Sequence, residues 1–507
     1  MRKSLALAVS LAVLSGNLLP SQASGATPVA GVPADQVGVN GPIADHLEGL
    51  ELVGRSAIEN QQGWALGNHG GLALVGDCAF VGRWHDYRGV NEIQILDISD
   101  PSSPSVIGGV PGSAISGGVA REIRAIDLDG WQMLAVLVFS DSLADRNNNQ
   151  LLLYSFPDGD CSKPERAGSF NTRTMRGHEF FLWVDPVAYA RGERRALAYV
   201  TAPIGPPNII VLDVSDPAVP LLIGTYDAAM PVASPREPAG TYLGTYAHSI
   251  SLSDDGRTAY VSYWDGGYLT LDASMFADGP GGTLLPQGGR SVAYPYSSED
   301  FGNTHSAVPL PGGETVVVGD EIYLSTDGCP FGWMRFLSIG GDTQPPNQVG
   351  EFRLEENTRC TQAAGRSYAD VRNSNGDLID GTFSMHNQTV VGDMVLASWY
   401  GAGLRVVDAS DPTAPREVAA FVPAPIGADI TASRPATSAP IWGADTDPGN
   451  DWRVAVWSYP VVRDGLIYVT DIQNGLYILR PQAGSELAEA LAGVWFAEGN
   501  SNLGALR

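Results

Sequence analysis

Basic residues are scarce in this chain. Thirty Lys and Arg stand against fifty-six Asp and Glu, a formal net charge of −26. Such a surface repels phosphate backbones and anionic headgroups, which argues against nucleic acid as a partner. The acidic residues form no long run, so the charge reads as solubility outside the cell. Cysteine is nearly missing: Cys78, Cys161, Cys329 and Cys360 are the only four. No two are spaced C-x-x-C, which excludes zinc-ribbon and thioredoxin arrangements. Beyond the first residues no apolar run is long enough to cross a bilayer, so no membrane span is expected. Several motifs are absent too. The glycine-rich GGVPGSAISGG lacks the Gly-Lys-Ser/Thr of a phosphate loop. DRNNNQ (145–150) lacks the Gly and terminal Glu of a calcium loop. There is no G-x-S-x-G elbow.

What is present starts at the N-terminus. Met1-Arg2-Lys3 precedes an apolar run over Leu5–Leu19 and then small residues, with Ser21/Ala23 or Ser24/Ala26 as cleavage contexts. This pattern predicts a secretory signal peptide over 1–26. The run is too short to favour an anchor helix. An even cysteine count in a secreted chain suggests two disulfides, with three connectivities open. Cys329–Cys360 with Cys78–Cys161 is the most local pairing. Sixty Gly and thirty-five Pro, with few charged residues, fit an all-β, turn-rich protein.

Three segments nearly superimpose: NEIQILDISDPSSPSVIG (91–108), NIIVLDVSDPAVPLLIG (208–224) and GLRVVDASDPTAPREVA (403–419). Each reads as an alternating strand, an Asp/Ser-Asp-Pro turn and a second short strand. Proline ends the ladder because it has no donor, and the Asp and Ser before it cap the turn. Weaker copies lie at 149–160, 266–274, 332–341 and 474–482. Two further strands precede each copy, giving four antiparallel strands per repeat, a propeller blade. Seven blades are expected, beginning near His69, Arg121, His178, His248, His305, His386 and Ser458. Loop insertions are expected at 228–243, 275–302, 361–382 and 424–452. The last blade lacks a fourth strand, and Leu50–Ser56 has the missing pattern, so the N-terminal strand should close the ring. The expected layout is a 27–49 linker, a 50–482 all-β seven-bladed propeller and a 483–507 tail. The tail contains SELAEALAGVWF, whose spacing predicts a short helix packed on the outside.

The Asp-x-Ser-Asp-Pro copies at Asp97–Pro101, Asp213–Pro217 and Asp408–Pro412 resemble the LVIVD-repeat family of secreted bacterial β-propellers. The resemblance spans roughly residues 50–480. It implies the fold and no activity, because the repeat names a structural unit.

Five of seven histidines occupy one register of the repeat: His69, His178, His248, His305 and His386. Each opens the strand that would line the central channel, so a closed ring would gather them at one mouth. The returning strands end at Trp84/His85, Asp141, Trp264/Asp265, Asp320/Glu321, Trp399/Tyr400 and Asp471. Imidazoles, carboxylates and aromatic rings on one face make a candidate metal or small-molecule site. Imidazoles without thiolate suit iron, copper or zinc rather than structural zinc or an iron–sulfur cluster. Glu321 is the candidate ligand, orienting partner or general base.

A second reading stays open at this point. Duplication copies structural residues as readily as ligands, and Gly177-His178 resembles the Gly-His pair that staples WD blades. The histidines would then be structural and the chain a monomeric binding or scaffold propeller, with a small molecule or an extracellular protein or glycan as partner. The tryptophans either cover blade ends or stack on a ligand. His46 and His85 lie outside the register and read as surface residues.

Overall fold

Short runs of alternating or wholly apolar residues, cut by Gly, Pro and Asp, cannot continue as helices and pair as strands. In the computed structural model they form seven sheets of four or five strands and one separate hairpin. The structure describes residues 44–58, 69–83, 92–114, 118–140, 149–172, 177–202, 207–226, 246–264, 266–286, 302–322, 330–339, 345–358, 360–363, 366–369, 383–424, 454–499 and 501–507.

Each of the seven sheets is a blade built on antiparallel strands running outward from the channel, and in blade 3 Gly282–Thr283 adds a short parallel strand at the outer edge. The inner strands are His69–Val75, Gly118–Leu128, Phe180–Val184, Ser249–Leu252, Thr304–Pro309, Gln388–Val391 and Val461–Arg463. These starts match the expected seven within about three residues. The inner strands of blades 1 to 6 touch in chain order, and blade 7 completes the ring through Phe496–Glu498 against Gln388–Val391 and Leu466–Asp471 against His69–Val75. Their side chains are almost all buried, because each is covered by a blade on either face. Two stacks of such residues are the Leu72–Leu137–Leu182 side and the Trp183–Leu252–Leu271 side of blade 3.

The closure also follows the expected pattern. Leu50–Ser56 pairs antiparallel with Gly475–Pro481, Leu50 opposite Pro481 and Ser56 opposite Leu476. Blade 7 is thus built from both ends of the propeller. The linker over 27–49 is not wholly a linker: Ala44–Glu48 adds a fifth strand to the outer edge of blade 6. Most of the expected insertions lie outside the described residues. A helix at Ser274–Ala277 and a hairpin at Cys360–Ala363/Arg366–Ala369 fall within two of them.

The repeated Asp-x-Ser-Asp-Pro turn has a defined mechanical role. Asp97, Asp213 and Asp408 accept from the amides of Ser99, Ser215 and Ser410 at 2.8–3.0 Å. Asp100, Asp216 and Asp411 repeat the bond two residues on. The following proline then meets a glycine in the outer strand of the preceding blade. A Cβ on Gly54 would lie 2.1 Å from the Pro101 carbonyl oxygen, and one on Gly350 2.0 Å from that of Pro412. Only glycine allows this approach, so turn and glycine together set blade spacing.

The C-terminal tail departs from expectation. Ser485 caps a helix over Glu486–Leu491, which buries Leu487 and Leu491 as predicted. The chain then leaves the outside. Phe496–Glu498 pairs with Val461–Arg463, the inner strand of blade 7. Three residues of channel-facing edge would otherwise leave backbone groups unpaired, and the tail satisfies them. It continues across the channel: Val390 of blade 6 donates to the Gly499 carbonyl, Glu498 binds Arg124 of blade 2 at 2.8 Å, and the Asn502 amide donates to the Val184 carbonyl of blade 3 at 2.6 Å.

Cys78 and Cys161 form a disulfide joining blade 1 to blade 2, as expected. The Cys329–Cys360 pairing lies outside the described residues. No helix among the described residues is long and apolar enough to cross a membrane.

Because Leu50–Ser56 supplies the outer strand of blade 7, deleting residues 47–57 should expose that edge. The expected result is aggregation or a thermal midpoint lower by on the order of 10 °C, read by calorimetry. A variant as stable and soluble as the parent would refute the closure.

Candidate metal centre

The inner strands begin at one mouth, and a repeated bond fixes where. The amides of His178, His248 and His386 donate to the carbonyls of Thr201, Ser262 and Ser398, each on the second strand of the same blade, at 2.8–2.9 Å. Neighbouring blades grip the other side of the peptide. Thr201 Oγ1 donates to the His248 carbonyl, Ser249 Oγ to that of His305 and Ser306 Oγ to that of His386, at 2.6–2.8 Å. These hydroxyls are buried, so each bond fixes a histidine backbone to two blades at once.

The rings converge. Centroids are 4.3 Å apart for His178–His248 and 4.0 Å for both His248–His305 and His305–His386. His178 Nε2 lies 2.8 Å from His248 Nε2. Two carboxylates face the row. Glu179 Oε1 lies 3.9 Å from His248 Nδ1 and 3.7 Å from His305 Nε2. Glu321 Oε2 lies 3.5 Å from His305 Nε2, and its Oε1 lies 3.8 Å from His386 Nε2. Glu179, His248 and His305 form one set of converging ligand atoms, and His305, Glu321 and His386 another, each within 4.8 Å.

One tautomer follows from its partner. His386 Nδ1 lies 2.8 Å from the Trp457 carbonyl, which can only accept, so Nδ1 carries the hydrogen. The lone pair of neutral His386 is then on Nε2, towards Glu321. A lone pair facing a carboxylate is repulsive unless a proton or a cation lies between them.

Burial dominates the titration of the site. It depresses His248, with His305, His178 and His386 adding to the effect. Burial lowers His305 to about 3, and it lowers His386 well below the usual imidazole range. The same burial raises Glu179 well above its usual range and pushes Glu321 up to about 8. The Tyr400 hydroxyl, which donates to Glu321 Oε1, opposes that rise.

A second repeat position lines the mouth. Ser249 pairs with Ser262 and Ser306 with Gly319, while Gln388 pairs with Ala397, one step from Ser398. Counting two residues on from Ser262, Gly319 and Ser398 gives Trp264, Glu321 and Tyr400. Trp264 stacks on His248 at 4.8 Å, and Tyr400 meets His386 edge-on at 5.1 Å. Both aromatic residues have left-handed backbones, φ 50° and 35°. Such conformations cost on the order of 1–3 kcal/mol each, and here they aim rings at histidines.

Not every candidate joins the site. His69 is buried at the start of blade 1, but its ring makes none of these contacts among the described residues. Asp320 pairs with Arg335. Trp399 donates to the Phe383 carbonyl at 2.7 Å. Asp471 accepts the amides of Ala455, Gln473 and Asn474. These three hold turns and blade ends. His46 is exposed, as expected. Trp84, His85, Asp141 and Asp265 lie outside the described residues.

Three contributors were not foreseen from the sequence. Glu179 follows His178 directly, so the pair GHE was the available signal. Trp457 occupies the histidine position of blade 7, its amide donating to the Thr470 carbonyl. Tyr459 donates to Glu179 Oε2 at 3.3 Å and stacks beneath the Arg124 guanidinium at 4.3 Å. A cavity of about 860 Å³ lies at the opposite end of the channel, between the tail and the turns at Ser253–Asp255 and Pro311–Glu314. It contains none of the candidate residues.

The pKa shifts set a sign for stability. Between an ordinary 4.5 and about 8, folded Glu321 holds a proton that the unfolded chain has released, so stability falls as pH rises. Glu179 acts in the same sense. The depressed histidines act oppositely: below about 6.5 the unfolded chain binds more protons, so stability is lost as pH falls. Chelator-treated protein should therefore lose thermal midpoint between about pH 6.5 and 8, and Glu321→Gln should flatten that limb. A midpoint that holds or rises across this range would contradict the assignment.

Comparison with known proteins agrees with the repeat and adds no activity. The LVIVD repeat matches residues 67–111, 206–228 and 396–422, which fall in blades 1, 3 and 6. No curated protein matches the chain. Among solved structures, Sqt1 from Chaetomium thermophilum is similar at 12% identity over 90% of this chain and 92% of that one, with a TM-score of 0.43. The Mitotic Checkpoint Complex is similar at 8% identity over 87% of this chain and 95% of that one, also at 0.43. Likenesses at this level carry no argument about function.

Proposed function

We propose that this chain, an LVIVD-repeat β-propeller, binds one transition-metal ion among His178, His248, His305, His386, Glu179 and Glu321. The observation that carries the reading is the approach of carboxylate oxygens to imidazole nitrogens at 3.5–3.9 Å inside a buried site. Two atoms bound to one ion at about 2.1 Å lie roughly 3 Å apart at a right angle and at most about 4.2 Å apart. All these carboxylate–imidazole separations fall within that span; the 2.8 Å His178–His248 contact runs through His248 Nε2, whereas Glu179 faces its Nδ1, so one ion would take one side of that ring and leave the other. Burial keeps the His248, His305 and His386 rings neutral, which is the state that binds metal. Nitrogen and carboxylate donors without thiolate suit iron, copper or zinc. An ion held this way supplies Lewis-acid or redox chemistry, so the chain is read as a metal-dependent enzyme. Glu321 is then a ligand or an orienting partner. The Cys78–Cys161 disulfide suits the oxidising compartment that a secretory signal implies, and the ligand reaching the mouth is a small molecule.

The second reading, a non-catalytic binding or scaffold propeller in an extracellular setting, has its own support. His386 is stapled to Trp457, and His178–His248 makes a complete hydrogen bond without any metal.

Metal analysis separates the two. Protein purified without added metal or chelator should carry about one equivalent of a transition metal by mass spectrometry. A His248→Ala/His305→Ala variant should lose it while still unfolding cooperatively. Metal-free wild type that also refuses iron, copper and zinc would leave the scaffold reading.

Tyr400→Phe tests the positioning of Glu321. Removing a partner that orients a ligand typically weakens metal affinity by about 10–100-fold, and competition with a chelator would read the loss. Unchanged affinity would remove Glu321 from the ligand set.

A further inference from the structure

A chain of buried contacts links the histidine row to the C-terminal tail. It begins at Glu179 of blade 3. Its Oε1 faces the row, 3.9 Å from His248 Nδ1 and 3.7 Å from His305 Nε2. Its Oε2 accepts from the Tyr459 hydroxyl at 3.3 Å. Tyr459 precedes the inner strand of blade 7, and its ring lies 4.3 Å from the guanidinium of Arg124 in blade 2. Arg124 Nη1 donates to Glu498 Oε1 of the tail at 2.8 Å, and its Nη2 lies 3.8 Å from Glu122 Oε2. None of these five residues is more than 9% exposed.

Strand pairing puts the last link in place. Glu498 sits opposite Val461, two residues on from Tyr459. Residues at that spacing share a face of an extended chain. The pairing that seats the tail on blade 7 therefore also carries its carboxylate to the stack of Tyr459 and Arg124. Burial makes the link stiff. A guanidinium held out of water is costly to leave without its carboxylate, so Arg124 is tied to Glu498. A buried tyrosine hydroxyl takes a partner, and here it takes Glu179.

The two oxygens of Glu179 then have separate tasks. Oε2 is held by a hydroxyl, and Oε1 is left towards the imidazole nitrogens. Hydrogen bonds of this kind orient a ligating carboxylate and raise its affinity for the ion. Such an effect runs both ways. Whatever the ion gains from a seated tail, the tail gains in seating from a bound ion.

We infer that Tyr459 is a positioning residue for Glu179, held by Arg124 and Glu498, and that seating of the C-terminal tail is coupled to filling of the metal site. The inference rests on the metal reading and deepens it by naming what regulates that site.

Hydrogen exchange of the full-length protein reads the coupling without any substitution. Chelator-treated protein is compared with protein loaded with whichever of iron, copper or zinc it takes up. Loading should slow exchange over Phe496–Glu498 about fivefold or more, the lower end of typical coupling between sites. Ala44–Glu48, an added strand on blade 6 outside this chain of contacts, is the internal reference and should slow less. Tyr459→Phe keeps the ring against Arg124 and removes only the hydroxyl. It should weaken metal affinity about 10–100-fold in competition with a chelator and abolish the extra protection of the tail. Glu498→Gln keeps an acceptor for Arg124 without the charge and should weaken affinity to a smaller extent. Metal content is measured on every sample. If metal is bound but either variant competes as the parent does, or the tail slows no more than Ala44–Glu48, the coupling is overturned and the metal reading stands. If the wild type takes up none of the three metals, both fall together, and the metal measurement identifies that case.

Discussion

The pairing of Leu50–Ser56 with Gly475–Pro481 is the constraint on which the rest depends. A propeller blade is stable because both its faces are covered, and an open ring leaves two faces bare. Closing the ring from opposite ends of the chain is entropically expensive, but loop-closure cost grows only slowly with length. The gain is shared by every blade. Closure also creates the site. His178, His248, His305 and His386 are neighbours only because successive blades are held at a fixed rotation, and the glycine–proline contacts at Gly54, Gly168 and Gly350 set that rotation.

Within the ring, structural and chemical roles fall on the same residues. The carbonyls of His248, His305 and His386 tie one blade to the next through Thr201, Ser249 and Ser306. Their rings face inward. The two readings of a repeated histidine, staple and ligand, are therefore not exclusive at the level of atoms, because the backbone does one task and the ring is left for the other. His386 shows the overlap most clearly. Its Nδ1 is committed to Trp457, and that bond leaves the Nε2 lone pair towards Glu321. Trp264 and Tyr400 keep unfavourable backbone angles to place rings against the same histidines. Strain of that kind persists only where the surroundings over-determine it.

Much of this was legible in the sequence because repetition multiplies weak signals. Three copies of one turn motif revealed the unit, the histidine register revealed the blade starts, and the pattern of Leu50–Ser56 revealed the missing strand. What stayed hidden lies off the repeat. Glu179 and Tyr459 each occur once, so no second copy drew attention to them. Trp457 holds the histidine position under a different residue type. His69 keeps the residue type, but among the described residues its ring does not join the row. The tail's helix was visible from its spacing. Its next turn, into the channel, depends on an unpaired inner edge of blade 7 that no local pattern reports.

That turn has a consequence for traffic. Through Phe496–Gly499 and Asn502 the tail makes contacts with blades 7, 6, 2, 3 and 4 in the lower part of the channel. The base therefore leads to the tail before it leads to the imidazoles. A molecule approaching the histidine row from that side would meet the tail first and would have to displace it. Passage from the base is therefore coupled to release of the tail from several blades at once, and would be paced by that release rather than by encounter.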